Sequence, residues 1–435
     1  MSAKDIKAIA LKAEQAVKNL GAKDAHIAVS HRVTHEFNIA NGEFSLFRTM
    51  FDDSVGLTVF KDNKKGSVGI NKTDDASIEK AALDCVKSAE SGVADEAYGI
   101  APKEENASFS NSAYEGDIDT FFDRSKELLE TIKANYPKIK LSDTVFSHVK
   151  VDKIYRNTNG TEFTTKSGYY SVALGFSGLD GDKTTSLNEA SFTTEKLDKP
   201  FIEMSEVKTQ LDNTVKQLDM RAFSGKIDDG VVILSPTCLG QFLGSVFSNF
   251  VSGSVIRDKT SIWLDKLGKQ VADSRLTIRL STDDERIVCP QKYTGDGFVA
   301  QSYNLIENGV LKSFMLDLFN ANKTGFERAK NTDSSVVIEG GDVSFADMVK
   351  GVKKGLLVGY FAGGNPGTNG DFSGVAKNSF YIEDGKIAYP VNEVMINGNL
   401  SSLLMNIKDI SKEVVTDGEG VLPYMSFGGV VISGK

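Results

Sequence analysis

The sequence predicts an α+β protein in two parts. An N-terminal α+β domain over 1–225, with an antiparallel sheet and amphipathic helices, precedes a C-terminal β-dominated domain over 226–435 with a few helices. Three observations carry this expectation. A chain of 435 residues is long enough for two or more separate cores. Forty Gly and 26 Phe against 8 Pro and a single Trp suit a turn-rich, sheet-heavy chain better than a helical bundle. Finally, apolar spacing alternates between helical and strand periods before residue 225 and is mostly of the strand type after it.

The elements follow in order. Ile6, Ile9, Ala13, Val17 and Leu20 form one helical stripe, and Gly21 ends it. Ile27, Val29, Val33, Phe37 and Ile39 then alternate up to an Asn41-Gly42 turn, and FSLFRTMF and SVGLTVFKDNKKGSVGI continue the extended pattern. From Asp75 a second helix places Ile78, Ala82, Cys85 and Ala89 on one side, which makes Cys85 a core residue. Residues 92–116 are polar and aperiodic, and read as a surface loop that could subdivide the domain near 95–115. Ile118, Phe121, Phe122, Ser125, Leu128, Leu129 and Ile132 make an amphipathic helix ending before Pro137. Residues 142–194 are extended, with NTNG and LDGD as turns, and Met204, Val207, Leu211, Val215 and Leu218 form another helix. SGKIDDG, at 224–230, reads as a linker. Beyond it one helix, from Pro236 to about Val251, leads into Gly-rich strands with short helices near Leu316, Phe345 and Leu403.

Charge and cysteine usage exclude several functions. Fifty basic against 59 acidic residues leave a net charge of −9, which argues against direct nucleic-acid binding. Cys85, Cys238 and Cys289 are odd in number and far apart, so they read as thiols in a reducing cytoplasm rather than as a disulfide framework. No segment approaches the roughly 20 apolar residues of a membrane span, and the amino terminus reads as a helix instead of a signal peptide.

Familiar catalytic arrangements are missing. His31 and His35 lie in HRVTHE; on a strand, four residues span about 13 Å, so the two imidazoles share a face but not an ion. His26 is on the other face and His148 is distant in sequence, so no three-histidine zinc site can be drawn. No Gly-x-Ser-x-Gly elbow occurs. AGGNPGTNGDFSG lacks the Gly-Lys-Ser/Thr ending of a phosphate loop, and its Gly363, Gly364, Gly367, Gly370 and Asp371 read better as backbone passing close to something large.

The helix after VVIL is more informative. Ser235 is a good N-cap and Pro236 a good first residue, with Leu239, Phe242, Leu243, Val246, Phe247 and Phe250 as the buried stripe. Its other side carries Gly240, Gly244, Ser245, Ser248 and Asn249. Helical Gly costs about 1 kcal/mol relative to Ala, so this small-residue face suggests close approach by another backbone or by a bound chain.

SPTCLGQFLGSVFSNFVSGSVIRDKTSIWLDKLGKQV, then LIENGVLKSFMLD, then GDFSGVAKNSFYIEDGKIAYPVNEVMINGNLSSLL, resembles the TldD/PmbA family, also called the modulator of DNA gyrase family. The likeness is dense from about residue 230 and looser before it. It implies a two-part cytosolic metallopeptidase. TldD-like subunits carry a metal-binding His-Glu-x-x-x-His helix and a Cys near the carboxyl terminus, and PmbA or TldE-like subunits lack them. Here the matching positions are Gly244, Ser245, Val246, Phe247, Ser248 and Asn249, and the tail after Cys289 has no cysteine. The resemblance therefore implies a subunit without metal or catalytic residues of its own, paired with a zinc-bearing TldD-like subunit and acting on extended peptides. The alternative is a stand-alone homodimeric peptide-binding protein without catalysis. A genomically adjacent TldD-like gene would favour the first.

Overall fold

The computed structural model describes residues 5–333 and 335–434. It is α+β, with two sheets and helices packed on each. The first sheet is assembled from α1 (Ile6–Asn19), β1 (Asp24–Ala40), β2 (Glu43–Lys61), β3 (Lys64–Ile70), α2 (Asp75–Ser91), β4 (Ala107–Ser110), α3 (Ile118–Asn135), β5 (Ile139–Leu141), β6 (Thr144–Asn157), β7 (Glu162–Asp180), β8 (Lys183–Thr184), β9 (Asn188–Thr194) and α4 (Val207–Gln217). Its strand order is β3-β2-β1-β6-β7-β4, with β5, β8 and β9 also paired to β7.

Local chemistry explains most of these elements. Asp5, Asp74 and Asp117 cap α1, α2 and α3, each accepting a hydrogen bond from the backbone N–H three residues on. Asn41 and Gly42 both have positive φ, at 54° and 79°, so the β1–β2 turn has the handedness that matches the twist of its strands. Alternate residues of β1 serve two clusters: Ile27 and Val29 pack with α1 and α2, and Phe37 and Ile39 pack with α3. Cys85 is fully buried and its thiol faces the Leu57 and Gly66 carbonyls. Gly66 is required there, because a Cβ would lie 2.1 Å from the Cys85 carbonyl oxygen.

Two expectations need correction. Residues 92–116 are not simply a surface loop: β4 joins β7 in parallel, and Ala101 and Ala113 are buried. Four residues of strand with a partner some 56 residues away carry too short a pattern to be recognised. Nor is SGKIDDG a linker throughout, since Lys226–Leu234 is a single strand. Its polar first half is held by backbone pairing to the chain's end, with Lys226 opposite Ser433 and Gly230 opposite Val430.

The second sheet has 14 strands of mixed direction. Lys226–Leu234 runs parallel to Lys354–Val358 and antiparallel to Val421–Ser433. That last strand also pairs with Val394–Asn399 and Ile407–Thr416. The apolar carboxyl-terminal segment is part of the core: Met425, Phe427, Val430 and Ile432 are fully buried. Short helices fall at Leu318–Thr324, Phe345–Lys350 and Leu400–Met405.

The sheets meet along a polar and aromatic seam. Tyr293 packs against Phe163 and Tyr155 of the first sheet, and the Thr193 N–H donates to the Asp417 carbonyl at 2.7 Å. Asn322 donates to the Ala97 carbonyl, and Lys323 pairs with Asp95 at 2.7 Å.

Candidate functional site

A cleft of about 360 Å³ opens on this seam, against the helix α5 (Pro236–Val246). Ser235 starts α5 by accepting from the Cys238 N–H, Pro236 occupies the first turn, and Cys238, Leu239, Phe242, Leu243 and Val246 are buried. The helix does not end at Val246. It widens into a π-helical turn over Phe247–Val251, a distortion that rotates the following side chains relative to a regular helix and is frequent at functional sites.

Gly240 and Gly244 form part of the cleft wall with Leu243 and Phe247. A Cβ built on Gly244 would meet nothing within 4 Å, and one on Gly240 only Leu422 at 3.5 Å. Hence, among the described residues, no second backbone lies against these two glycines. The neighbouring hydroxyls are engaged within the helix: Ser245 donates to the Gln241 carbonyl at 3.3 Å and Ser248 to the Gly244 carbonyl at 2.7 Å. Asn249 points elsewhere, donating to the Pro366 carbonyl at 2.9 Å.

Asn249 thereby ties the helix to the Gly-rich loop. Gly364 has φ +51°, and a Cβ there would lie 1.5 Å from the Ser373 carbonyl oxygen, so the close neighbour is the loop's own outgoing strand. Asp371 accepts from Asn369 and Asn399, and the Gly370 carbonyl accepts from Leu400 N–H. Of the candidates from sequence, Gly240 and Gly244 line the cleft. Gly363, Gly364, Gly367 and Gly370 belong to the adjoining loop, and Asp371 begins its outgoing strand.

Sequence reasoning missed the opposite wall, made by Val288, Cys289, Asp333, Ser335, Val336, Asp417, Glu419, Gly420 and Leu422. The Asp417 carboxylate accepts from the N–H groups of Glu419 and Gly420, both at 2.9 Å, which fixes the turn that presents Glu419. Glu419 is exposed as a residue. Its carboxyl is nonetheless held above the ordinary range, by desolvation in the cleft and by the charges of Asp417 and Asp333. Cys289 has φ +50° and reaches toward the first sheet, where the Asn111 side chain donates to its sulfur at 3.4 Å. Desolvation, and after it the charge of Glu195, push its thiol up to about 11, so it is protonated and a poor nucleophile at neutral pH.

The histidines keep to the sheet. His31 contacts Asp53 at 2.8 Å, while His35 bonds to Thr49 and stacks on the buried His148 at 6.1 Å between ring centroids. Among the described residues no three His, Cys, Asp or Glu side chains are gathered as a metal centre requires.

Comparison with known proteins fixes the family. The model for the PmbA/TldA metallopeptidase C-terminal domain matches residues 228–434, and that for PmbA/TldA metallopeptidase domain 1 matches residues 25–89. The chain belongs to the PmbA/TldD family. It is 25% identical over 429 residues to Metalloprotease PmbA of Escherichia coli O157:H7, covering 93% of this chain and 92% of that one. In structure it is similar to TldE from Thermococcus kodakarensis, with a TM-score of 0.83, 21% identity and coverage of 98% and 99%. A candidate modulator of DNA gyrase from Bacteroides thetaiotaomicron gives a TM-score of 0.88 at 21% identity, with both chains fully covered. The zinc that the family implies does not fit the donors present. Gly244–Asn249 offers two serine hydroxyls bonded to their own helix and an asparagine turned to the Gly-rich loop, and contains no His, Cys, Asp or Glu.

Proposed function

We propose that this chain is a metal-free, TldE-like subunit of a TldD/TldE-type metallopeptidase complex, and that it shapes a cleft for an extended peptide without performing the chemistry. One observation carries the reading. At the positions that match the family's metal motif, the helix presents Gly244 to an open cleft and ties up its serine hydroxyls, so there is space for a chain but no donor set for zinc. A zinc-bearing TldD-like partner would supply the metal that activates water. The net charge of −9 and the acidic opposite wall argue against a nucleic-acid ligand. Among the described residues no helix is long and apolar enough to cross a membrane. A cytoplasmic location fits the separate, reduced cysteines.

The test combines elemental analysis with peptide hydrolysis. Protein purified without added metal should hold no stoichiometric zinc and cleave no unfolded peptide alone, yet permit cleavage when mixed with a TldD-like partner. About one tightly held transition metal per chain, or chelator-resistant hydrolysis by the single chain, would overturn the reading.

A further inference from the structure

Residues 111–117, between β4 and α3, lie over β6 and β7 and are held there by a row of polar contacts. The Tyr114 hydroxyl donates to both Asp152 carboxylate oxygens, at 2.7 and 2.8 Å, Lys150 reaches Glu115 at 2.9 Å, and the Asp117 N–H donates to the Tyr170 hydroxyl at 2.6 Å. The buried His148 adds another. Its Nε2 lies 2.9 Å from the Ala113 carbonyl, which can only accept, so the imidazole proton is on Nε2. The other ring nitrogen, Nδ1, is buried and has no hydrogen-bond partner among the described residues. Close packing surrounds the ring. Tyr170 lies at 4.9 Å and His35 at 6.1 Å between centroids, and a Cβ on Gly116 would overlap the imidazole, so a partner can reach Nδ1 only if the segment moves.

We propose that residues 111–117 form an acid-released clasp, shut by His148 as a neutral imidazole and opened when that ring takes up a second proton. Protonation puts an N–H on Nδ1 with no acceptor, and a positive charge beside Lys150 on the same strand and His35 on β1. Lys166 on β7 adds a further cation, 5.6 Å from the Tyr114 ring. The carboxylates nearby are already engaged: Glu115 with Lys150, Asp152 with Tyr114, Asp117 with the first turn of α3 and Glu195 with Ser112. Burial lowers the His148 pKa from its ordinary 6.5, the bond to Ala113 opposes this, and the charges of His35 and Lys150 add to it. The closed clasp thus binds fewer protons than the open one, and its stability falls as pH drops below 6.5. Release reaches the cleft. Asn111, where the clasp begins, exchanges two hydrogen bonds with Gly168, each 2.8 Å, and its side-chain N–H also meets the Cys289 sulfur at 3.4 Å. Opening therefore takes a support from the wall that carries Cys289.

Amide hydrogen exchange of the full chain, corrected for the intrinsic effect of pH, tests the clasp. Protection of Asn111, Asp117 and Gly168 should fall about tenfold between pH 7 and pH 5, while amides of α1 and α2 keep theirs. His148→Gln, which cannot take up the proton, should lose that pH dependence. If this variant fails to fold, NMR of the nitrogen-labelled imidazoles in the native chain decides: His148 should gain its proton over the same pH range in which those three amides lose protection. Protection that follows α1 and α2 at every pH, a His148→Gln chain with unchanged pH dependence, or a His148 ring still neutral when the clasp has opened would overturn the proposal. It does not rest on the metal-free subunit reading, which is tested by metal content and hydrolysis.

Discussion

Most strands of the first sheet meet near neighbours in the chain, whereas the second sheet joins the chain's middle to its end. β1, β2 and β3 are linked by two-residue turns whose residues have positive φ. By contrast, Lys226–Leu234 lies between Lys354–Val358 and Val421–Ser433, and Gly429 N–H donates to Asp229, 200 residues away. Turn chemistry fixes register within a few residues, while distant strands must be positioned by a core that exists only after folding. The first half should therefore tolerate damage to single contacts better than the second tolerates damage to its closing strand.

The largest effect should come from that strand. Phe427 is fully buried in the main core of the second half, so Phe427→Ala should cost about 3–5 kcal/mol, read by urea denaturation. Removing residues from Val421 onward should leave the second sheet unable to form. Retained near-native stability in either variant would break the comparison. In the first half, Gly66→Ala drives a methyl group against the α2 backbone at 2.1 Å and should cost about 1–3 kcal/mol. Its damage should stay with the α1–α2 cluster, as hydrogen exchange would register.

Buried carboxyl groups sharpen the contrast through pH. In the first half Glu14 is opposed by desolvation, but hydrogen bonds from Lys18 and Arg156 outweigh it and its pKa is lowered. A lowered carboxyl pKa stabilises the fold above the unfolded value, and that contribution is lost as pH falls through the folded value. Glu206, before α4 where the first half meets the second, is raised by burial despite accepting from two second-half residues, Thr237 at 2.6 Å and Tyr424 at 3.2 Å. Its sign is opposite: stability is lost as pH rises from the unfolded carboxyl value near 4.5 up through the folded one. Thermal melts should show Glu14→Gln less stable by about 1–3 kcal/mol at pH 7, with a weaker acid limb. Glu206→Gln should be neutral or more stable by about 1 kcal/mol at pH 8, with no gain at pH 4. A loss for Glu206→Gln at pH 8 would show that the ionised carboxylate holds α4 to α5.

How much was legible follows the same division. The Ser235 cap, the Asn41-Gly42 turn and the α5 stripe are local patterns, and each falls where the residues suggest. One wall of the cleft was legible for the same reason, since Gly240 and Gly244 stand out on a helix. Its other wall was not, because Cys289, Asp333 and Glu419 sit in three separate irregular segments far apart in the chain. The TDGEG segment signals a turn, but nothing local says that β9 pins it, or that its carboxylates face α5. β4 was hidden too, being brief and paired with a strand about fifty residues on.

The smallest expected effect bears most directly on the site. Glycine within a helix loses more freedom on folding than alanine, a difference of about 0.5–1 kcal/mol. At Gly244 nothing opposes the gain, since an added Cβ meets no atom within 4 Å and Ser248 still donates to the same carbonyl. Gly244→Ala should therefore raise stability by about 0.5–1 kcal/mol, measurable by urea melts. Gly244→Leu should also fold, because the side chain enters a cleft of about 360 Å³ and not a packed core. If the helix is bare because a peptide must pass over it, hydrolysis by the mixed complex should fall in the order glycine, alanine, leucine while stability does not. A Gly244→Leu chain that supports full hydrolysis would place the peptide elsewhere, and one that cannot fold would mean that the open face closes on something within the chain.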